Sequence, residues 1–293
     1  MLALIYHAKV LNCHHNKEQR RFACKQCESK IQEGLFMKKF AALIIALMLV
    51  LSTAALAEGY TFKMGIDAEY PPYTYMGDDG EYTGFDVEMC EKVCEILGWN
   101  LEIVPINWDT KLMSLDNKEI DCIWSGLTID VLDPEAYTIS MAYSDNSQMI
   151  LTKKSNGIAT LDDLAGKIVG VQLGTSADIM LSKDMPELVE TFGDLQRFEN
   201  YNTCFTELMA GSIDAIAIDI GVAAGKIAEY GDEYVMLDES LASEQYGICM
   251  RKEDAEICAQ IEEAYMQLVE DGTYLSLAEK YELDTSALCL LAD

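Results

Sequence analysis

Histidine is nearly missing from this chain of 293 residues: His7, His14 and His15 are the whole supply, and none follows. Beyond residue 15, therefore, neither a Ser-His-Asp triad nor a Cys-His pair is available. Basic residues are scarce too, 21 Lys and Arg against 50 Asp and Glu, for a formal net charge of −29. A phosphate-binding surface needs clustered cations, so nucleic acid is excluded as a partner, and an anionic membrane surface would repel the chain. There is no Gly-x-Gly-x-x-Gly and no Walker loop, hence no nucleotide fingerprint and no cofactor implied. No Gly/Ser/Pro-rich linker and no fixed-period repeat divides the chain.

What is present falls into three compositions. Residues 1–36 carry a net charge of +3 and residues 37–57 a net of +2, whereas residues 58–293 carry −34. Met37-Lys38-Lys39, the uncharged run Phe40 to Leu51 and the site Ala55-Leu56-Ala57 form the order of a secretory signal peptide. The expectation is export with cleavage after Ala57, to a periplasmic or secreted location; the rival is an uncleaved anchor that makes the protein a membrane-tethered sensor. A signal peptide belongs at a chain's start, so residues 1–36 are expected to be an upstream extension and Met37 the initiator. Within that extension, Cys24-x-x-Cys27 with Cys13, His14 and His15 resembles half a zinc knuckle, but no second knuckle follows, and no metal site is expected. Residues 58–293 hold seven cysteines, an odd, scattered set that is no disulfide framework. Cys90 and Cys94, one helical turn apart, are expected to face a core.

Period-2 apolar segments alternate with 3.6-period ones after residue 58, which predicts an α/β fold. Strands are expected at 60–66, 101–105, 122–124, 148–152, 168–172, 195–198, 215–219 and 246–251. Helices are expected at 86–97 (capped by Asp86, stopped by Gly98), 108–117, 177–183, 201–210, 221–228, 255–270 and 274–281. Tyr70-Pro71-Pro72-Tyr73 reads as an extended turn. In open α/β sheets ligands bind beyond the carboxyl ends of strands. Four loops and one strand end qualify: 67–73 with its tyrosines, Trp108, Ser125-Gly126-Leu127-Thr128 with main-chain groups left free, Gly174-Thr175-Ser176 at a helix amino terminus suited to an anion, and Asp219, whose carboxylate suits an ammonium group.

Seven segments in order carry a resemblance: Gly65 to Tyr73, Gly84-Phe85-Asp86-Val87-Glu88, Lys118 to Cys122 with Ser125 to Ile129, Leu161 to Gln172, Gly174-Thr175-Ser176, Gly211 to Ala215, and Tyr246-Gly247-Ile248. Together, over about residues 60–282, the chain resembles the extracytoplasmic solute-binding proteins of polar amino-acid ABC importers, the bacterial family 3 type. The resemblance implies two Rossmann-like lobes joined by two crossover strands, a periplasmic binding protein type II-like fold with the ligand cleft between the lobes. Lobe 1 would be 60–149 plus 244–293 and lobe 2 150–243. It implies a monomer that closes on a small-molecule ligand, an amino acid or cationic amine, and engages the importer's membrane subunits, with no catalytic residues. Tyr70, Tyr73 and Trp108 would form aromatic walls. Gly126 and Thr128 would meet the α-amino group with Asp219 as its charged partner, Ser125 would also bind the ligand, Thr175 and Ser176 would take the carboxylate, and Asp67 would face the ligand's far end.

One departure stands out. Where the family places an Arg that clamps the ligand carboxylate, this chain has Asp133, and after residue 57 its only arginines are Arg197 and Arg251. Losing one partner of a buried charge pair costs roughly 2–5 kcal/mol, about two orders of magnitude in affinity. Lys111 substitutes, the helix terminus at Ser176 suffices alone, or the ligand has no free carboxylate and Asp133, Asp67 and Asp219 favour a cation. A rival function on the same scaffold is an exported dehydratase acting on aromatic amino-acid precursors, which the shortage of Arg and His opposes.

Overall fold

The computed structural model describes residues 59–291. The extension, the zinc-knuckle cysteines and the signal peptide lie outside those residues. Thirteen strands and eight α-helices follow one another in the alternation that the sequence periodicity predicts. The first half contains β1 (Thr61–Ile66), β2 (Glu69–Tyr70), β3 (Thr74–Met76), β4 (Tyr82–Thr83), α1 (Phe85–Leu97), β5 (Asn100–Pro105), α2 (Lys111–Asp116), β6 (Cys122–Thr128) and β7 (Tyr137–Ile139). After β8 (Ser144–Lys153) come β9 (Ile168–Gln172), α3 (Ser176–Lys183), α4 (Pro186–Val189), β10 (Asp194–Phe198), α5 (Tyr201–Ala210), β11 (Ala215–Asp219), α6 (Ile220–Tyr230) and β12 (Tyr234–Met236). The chain returns along β13 (Ala242–Arg251) and ends in α7 (Ala255–Glu270) and α8 (Thr273–Lys280).

The main sheet runs β10-β9-β11-β8-β13-β6-β1-β5, with β12 added to β8 and β7 to β13. Its two flanks are parallel: β5, β1 and β6 on one side, β11, β9 and β10 on the other. The long strands β8 and β13 join them. They pair antiparallel with each other from Ala242↔Gln148 to Tyr246↔Ser144, then diverge, β8 onto β11 and β13 onto β6. Each flank with its helices is one α/β lobe, so the two-lobed, two-crossover architecture implied by the family resemblance is the one observed.

Local chemistry explains most boundaries. On α1 the buried positions Phe85, Met89, Cys90, Val93 and Cys94 recur at helical spacing, and Gly98 stops the helix in the left-handed region, its N–H donating to the carbonyls of Cys94 and Glu95. Cys90 and Cys94 are buried and free, as are Cys122, Cys204, Cys249 and Cys258, while Cys289 is free and exposed. Three expectations need correcting. Asp86 does not cap α1: Gly84 holds the cap position, and the Asp86 side chain is fully buried and bonded elsewhere. Residues 70–73 are not simply extended, because β2 pairs with β3 in a small sheet β2-β3-β4. The helix at Trp108 begins as a 3-10 turn, Trp108–Thr110, capped by Asn107, before α2 proper.

Candidate ligand-binding cleft

The carboxyl ends of β1, β6, β9 and β11 converge on a cavity of about 80 Å³ between the lobes. Nine of the ten residues expected from the sequence line it: Asp67, Tyr70, Trp108, Ser125, Gly126, Thr128, Thr175, Ser176 and Asp219. Tyr73 does not. It lies behind Tyr70, stacked on that ring at 5.6 Å and edge-on to Tyr246 at 5.2 Å, with its hydroxyl against Gly221. Because β2 and β3 turn the chain back between residues 70 and 74, the two tyrosines cannot share one wall, and Tyr73 supports the wall instead of forming it.

The segment 125–128 belongs to β6 and is not an open loop. Gly126 has φ +52, and a Cβ there would come within 2.5 Å of Tyr70 Cε1, so glycine is needed for both its backbone and its neighbour. Its N–H is not free for a ligand: it donates to Asp86 Oδ2 at 2.6 Å, and the Tyr143 hydroxyl donates to the same oxygen at 2.8 Å. Burial pushes the Asp86 carboxyl up to about 7 despite these two bonds. Ser125 Oγ accepts from Asp67 N at 3.1 Å and shares a 2.5 Å bond with Thr74 Oγ1. Thr175 Oγ1 donates to the carbonyl of Gln172 and accepts from Asp178 N as the cap of α3, so its hydroxyl is spent on the helix start.

The lobes touch directly across the cleft. Gln172 Nε2 donates to Asp67 Oδ2 at 2.6 Å and Lys111 Nζ to the Gly174 carbonyl at 2.6 Å, and the Thr128 and Ser176 hydroxyl oxygens lie 3.2 Å apart. Burial holds the Asp67 carboxyl above the usual carboxylate range, opposed by the Gln172 bond. Lys111 is the one basic side chain lining the cavity, among the described residues. It also donates to the Trp108 carbonyl at 3.2 Å and sits 4.8 Å from that indole's centroid. Burial lowers its ammonium to about 8.

Asp219 ends β11 with both oxygens engaged. Oδ1 accepts from Asn146 Nδ2, Gln148 Nε2 and the Tyr246 hydroxyl at 2.8, 2.5 and 2.8 Å, and Oδ2 accepts from the Tyr201 hydroxyl at 3.2 Å. Next to it Glu244, 8% exposed, accepts from the same two amides. Burial and then the Asp219 charge hold the Glu244 carboxyl above its ordinary range. Glu244, Asn146, Gln148 and Gln172 went unseen in the sequence. The first three meet because β8 and β13 pair at Glu244↔Asn146 and Ala242↔Gln148, and no local pattern announces a pairing between strands about 100 residues apart.

Asp133 is exposed and turned to solvent, where its Oδ1 accepts from Glu135 N at 2.9 Å in a local turn. The sequence reading that set it beside Asp67 and Asp219 around a ligand is therefore wrong. Neither arginine replaces the missing cation. Arg197 pairs with Asp178 at 2.7 Å, and Arg251 pairs with Asp121 and Asp254 at 2.9 and 2.7 Å while bonding the Ile120 carbonyl.

Two α/β lobes on two crossing strands, with strand ends and a helix amino terminus gathered around a cleft, define a type II periplasmic binding fold. Residues 62–284 match the bacterial extracellular solute-binding proteins, family 3, and the chain belongs to that family. It is 32% identical to the L-cystine-binding protein TcyJ of Escherichia coli (strain K12) over 223 residues, 75% of this chain and 82% of that protein. It is 31% identical to the lysine/arginine/ornithine-binding periplasmic protein of the same organism, over 84% of this chain and 97% of that one. Among solved structures, a substrate-binding protein of an ABC uptake transporter from Streptococcus pneumoniae, with bound histidine, superposes with a TM-score of 0.73 at 29% identity, covering 75% of this chain and 92% of that one. Among the described residues no helix is long and apolar enough to cross a membrane.

Proposed function

We propose that this protein is an extracytoplasmic receptor that encloses an amino acid or related amine between its lobes and delivers it to an ABC importer. The observation that carries the reading is Asp219, a carboxylate 3% exposed at the end of β11, lining the cavity with no basic side chain paired to it among the described residues. A buried carboxylate in that setting suits a ligand ammonium. Tyr70 and Trp108 supply aromatic walls, Gly126 and Thr128 lie beside the ammonium position, and Asp67 faces the far end. α3 begins at Ser176, which lines the cleft, and a helix terminus there favours negative charge. Lobe 1 comprises 60–149 plus 244–293 and lobe 2 150–243, and the molecule works as a monomer after export by a signal peptide ending near Ala57.

Binding without catalysis fits a cleft whose lining contains no histidine and one cation, Lys111, already held by two carbonyls. A thermal-shift screen of the purified protein against amino acids and amines tests the receptor reading. Specific binding raises the melting temperature progressively with ligand concentration. A flat response to every solute contradicts it.

A further inference from the structure

The hydroxyl and amide donors at one end of the cleft are already spent on the protein's own carboxylate. Glu244 Oε1 accepts from Thr128 Oγ1 at 2.7 Å, Asn146 Nδ2 at 2.6 Å, Gln148 Nε2 at 2.8 Å and Ser176 Oγ at 3.2 Å. Thr128 and Ser176 line the cavity, so these two hydroxyls face Glu244 where they would otherwise be available to a bound anion. The two amides also hold Asp219 Oδ1, so each bridges the pair of carboxylates.

Acceptors outnumber donors here. Among the described residues no Lys or Arg pairs with Asp219 or Glu244. The amide oxygens Asn146 Oδ1 and Gln148 Oε1 are buried without a hydrogen-bond partner, on side chains only 4% and 0% exposed. Buried polar atoms left this way are costly unless something supplies protons to them. Lys111 does not serve this end: it is held by two carbonyls and its charge acts on Asp67. The donors in this corner are all engaged, and it lacks positive charge.

We propose that Asp219 at the cavity wall, joined to Glu244 through the two amides they share, forms a paired-carboxylate seat for an organic cation, with Glu244 occupying the Ser176 hydroxyl that a ligand carboxylate would need, so that the solute is an amine bearing no free carboxylate. The proposal rests on the receptor reading above and narrows its ligand class. An organic cation suits the site better than a metal ion, because only two carboxylates meet here and among the described residues no group of three His, Cys, Asp or Glu side chains could hold a metal. The neighbouring wall suits it as well: Tyr70 lines the same cavity as Asp219 and lies within reach of its charge, and aromatic faces attract desolvated cations.

Isothermal titration of the purified protein with matched pairs tests the proposal: L-lysine and cadaverine, L-ornithine and putrescine, L-arginine and agmatine, L-histidine and histamine. In at least one pair the amine is expected to bind about tenfold or more tightly than its parent amino acid. Glu244→Gln is expected to cost that amine at least about tenfold while leaving the amino acid no weaker. If the amino acid binds as well as or better than its amine in every pair that binds, the inference is overturned and the receptor reading stands. If neither member of any pair binds, the inference is overturned, while the receptor reading is decided by the wider thermal-shift screen. The pairwise comparison needs only the unaltered protein, so poor folding of the variant leaves the test intact.

Discussion

Gln172 Nε2 donates to Asp67 Oδ2 at 2.6 Å, joining two residues 105 positions apart and spanning the cleft from one lobe to the other. With the Lys111 to Gly174 bond it closes the cleft over a wall made of β1 and β9 ends. A hydrogen bond to a charged group contributes roughly 1.5–3 kcal/mol. Gln172→Ala is therefore expected to shift the lobes toward an open arrangement and weaken ligand binding about tenfold. Small-angle X-ray scattering with and without ligand checks this, the variant showing the larger radius of gyration at equal ligand concentration.

Gly126 is the tightest backbone position in the site. Its left-handed conformation and the 2.5 Å approach of Tyr70 Cε1 to a Cβ placed there both oppose a side chain. Gly126→Ala should lose roughly 1–3 kcal/mol from overpacking alone. The urea midpoint should fall with an unchanged slope. An unaltered midpoint would show that the Tyr70 ring moves aside freely.

Stability should decline as the pH rises from about 4 to about 7. The buried carboxyls of Asp67, Asp86 and Glu244 all bind protons more tightly folded than unfolded. The folded state then holds more protons in that window, and the slope of stability with pH is negative. Asp86, raised to about 7, dominates; its raised value corresponds to about 4 kcal/mol at most. Urea unfolding at pH 4.5 and 7.5 measures the difference, and Asp86→Asn should flatten it. The same variant keeps an acceptor for Gly126 N and Tyr143 Oη, so ligand binding should survive near neutral pH.

Asp133→Ala should leave ligand affinity unchanged, because the side chain is exposed in its own turn. Surface substitutions away from special features fall within about 0.5 kcal/mol. A tenfold loss would mean that Asp133 reaches the ligand in a conformation unlike the one described.

The strands and helices were legible because their signals are local. Residues 168–172, 201–210, 215–219 and 255–270 fall where the periodicity placed them. Nine cleft residues were legible because each sits at a strand end or helix start in a short recurring segment. Glu244, Asn146 and Gln148 were not, because their meeting depends on the register of β8 against β13, which no short window encodes. Tyr73 and Asp133 misled for a related reason. Position along the chain gave them the right address, but the β2–β3 turn and the turn at Asp133 rotate both side chains out of the cleft.

The receptor account rests on Asp219 as the partner of a ligand ammonium. Its most direct test is calorimetric titration of the purified protein and of Asp219→Ala with the solute that most raises the melting temperature. The account expects saturable binding at one site per chain, lost in the variant while its fold, judged by circular dichroism, is retained. Equal affinity in a folded Asp219→Ala protein would contradict it.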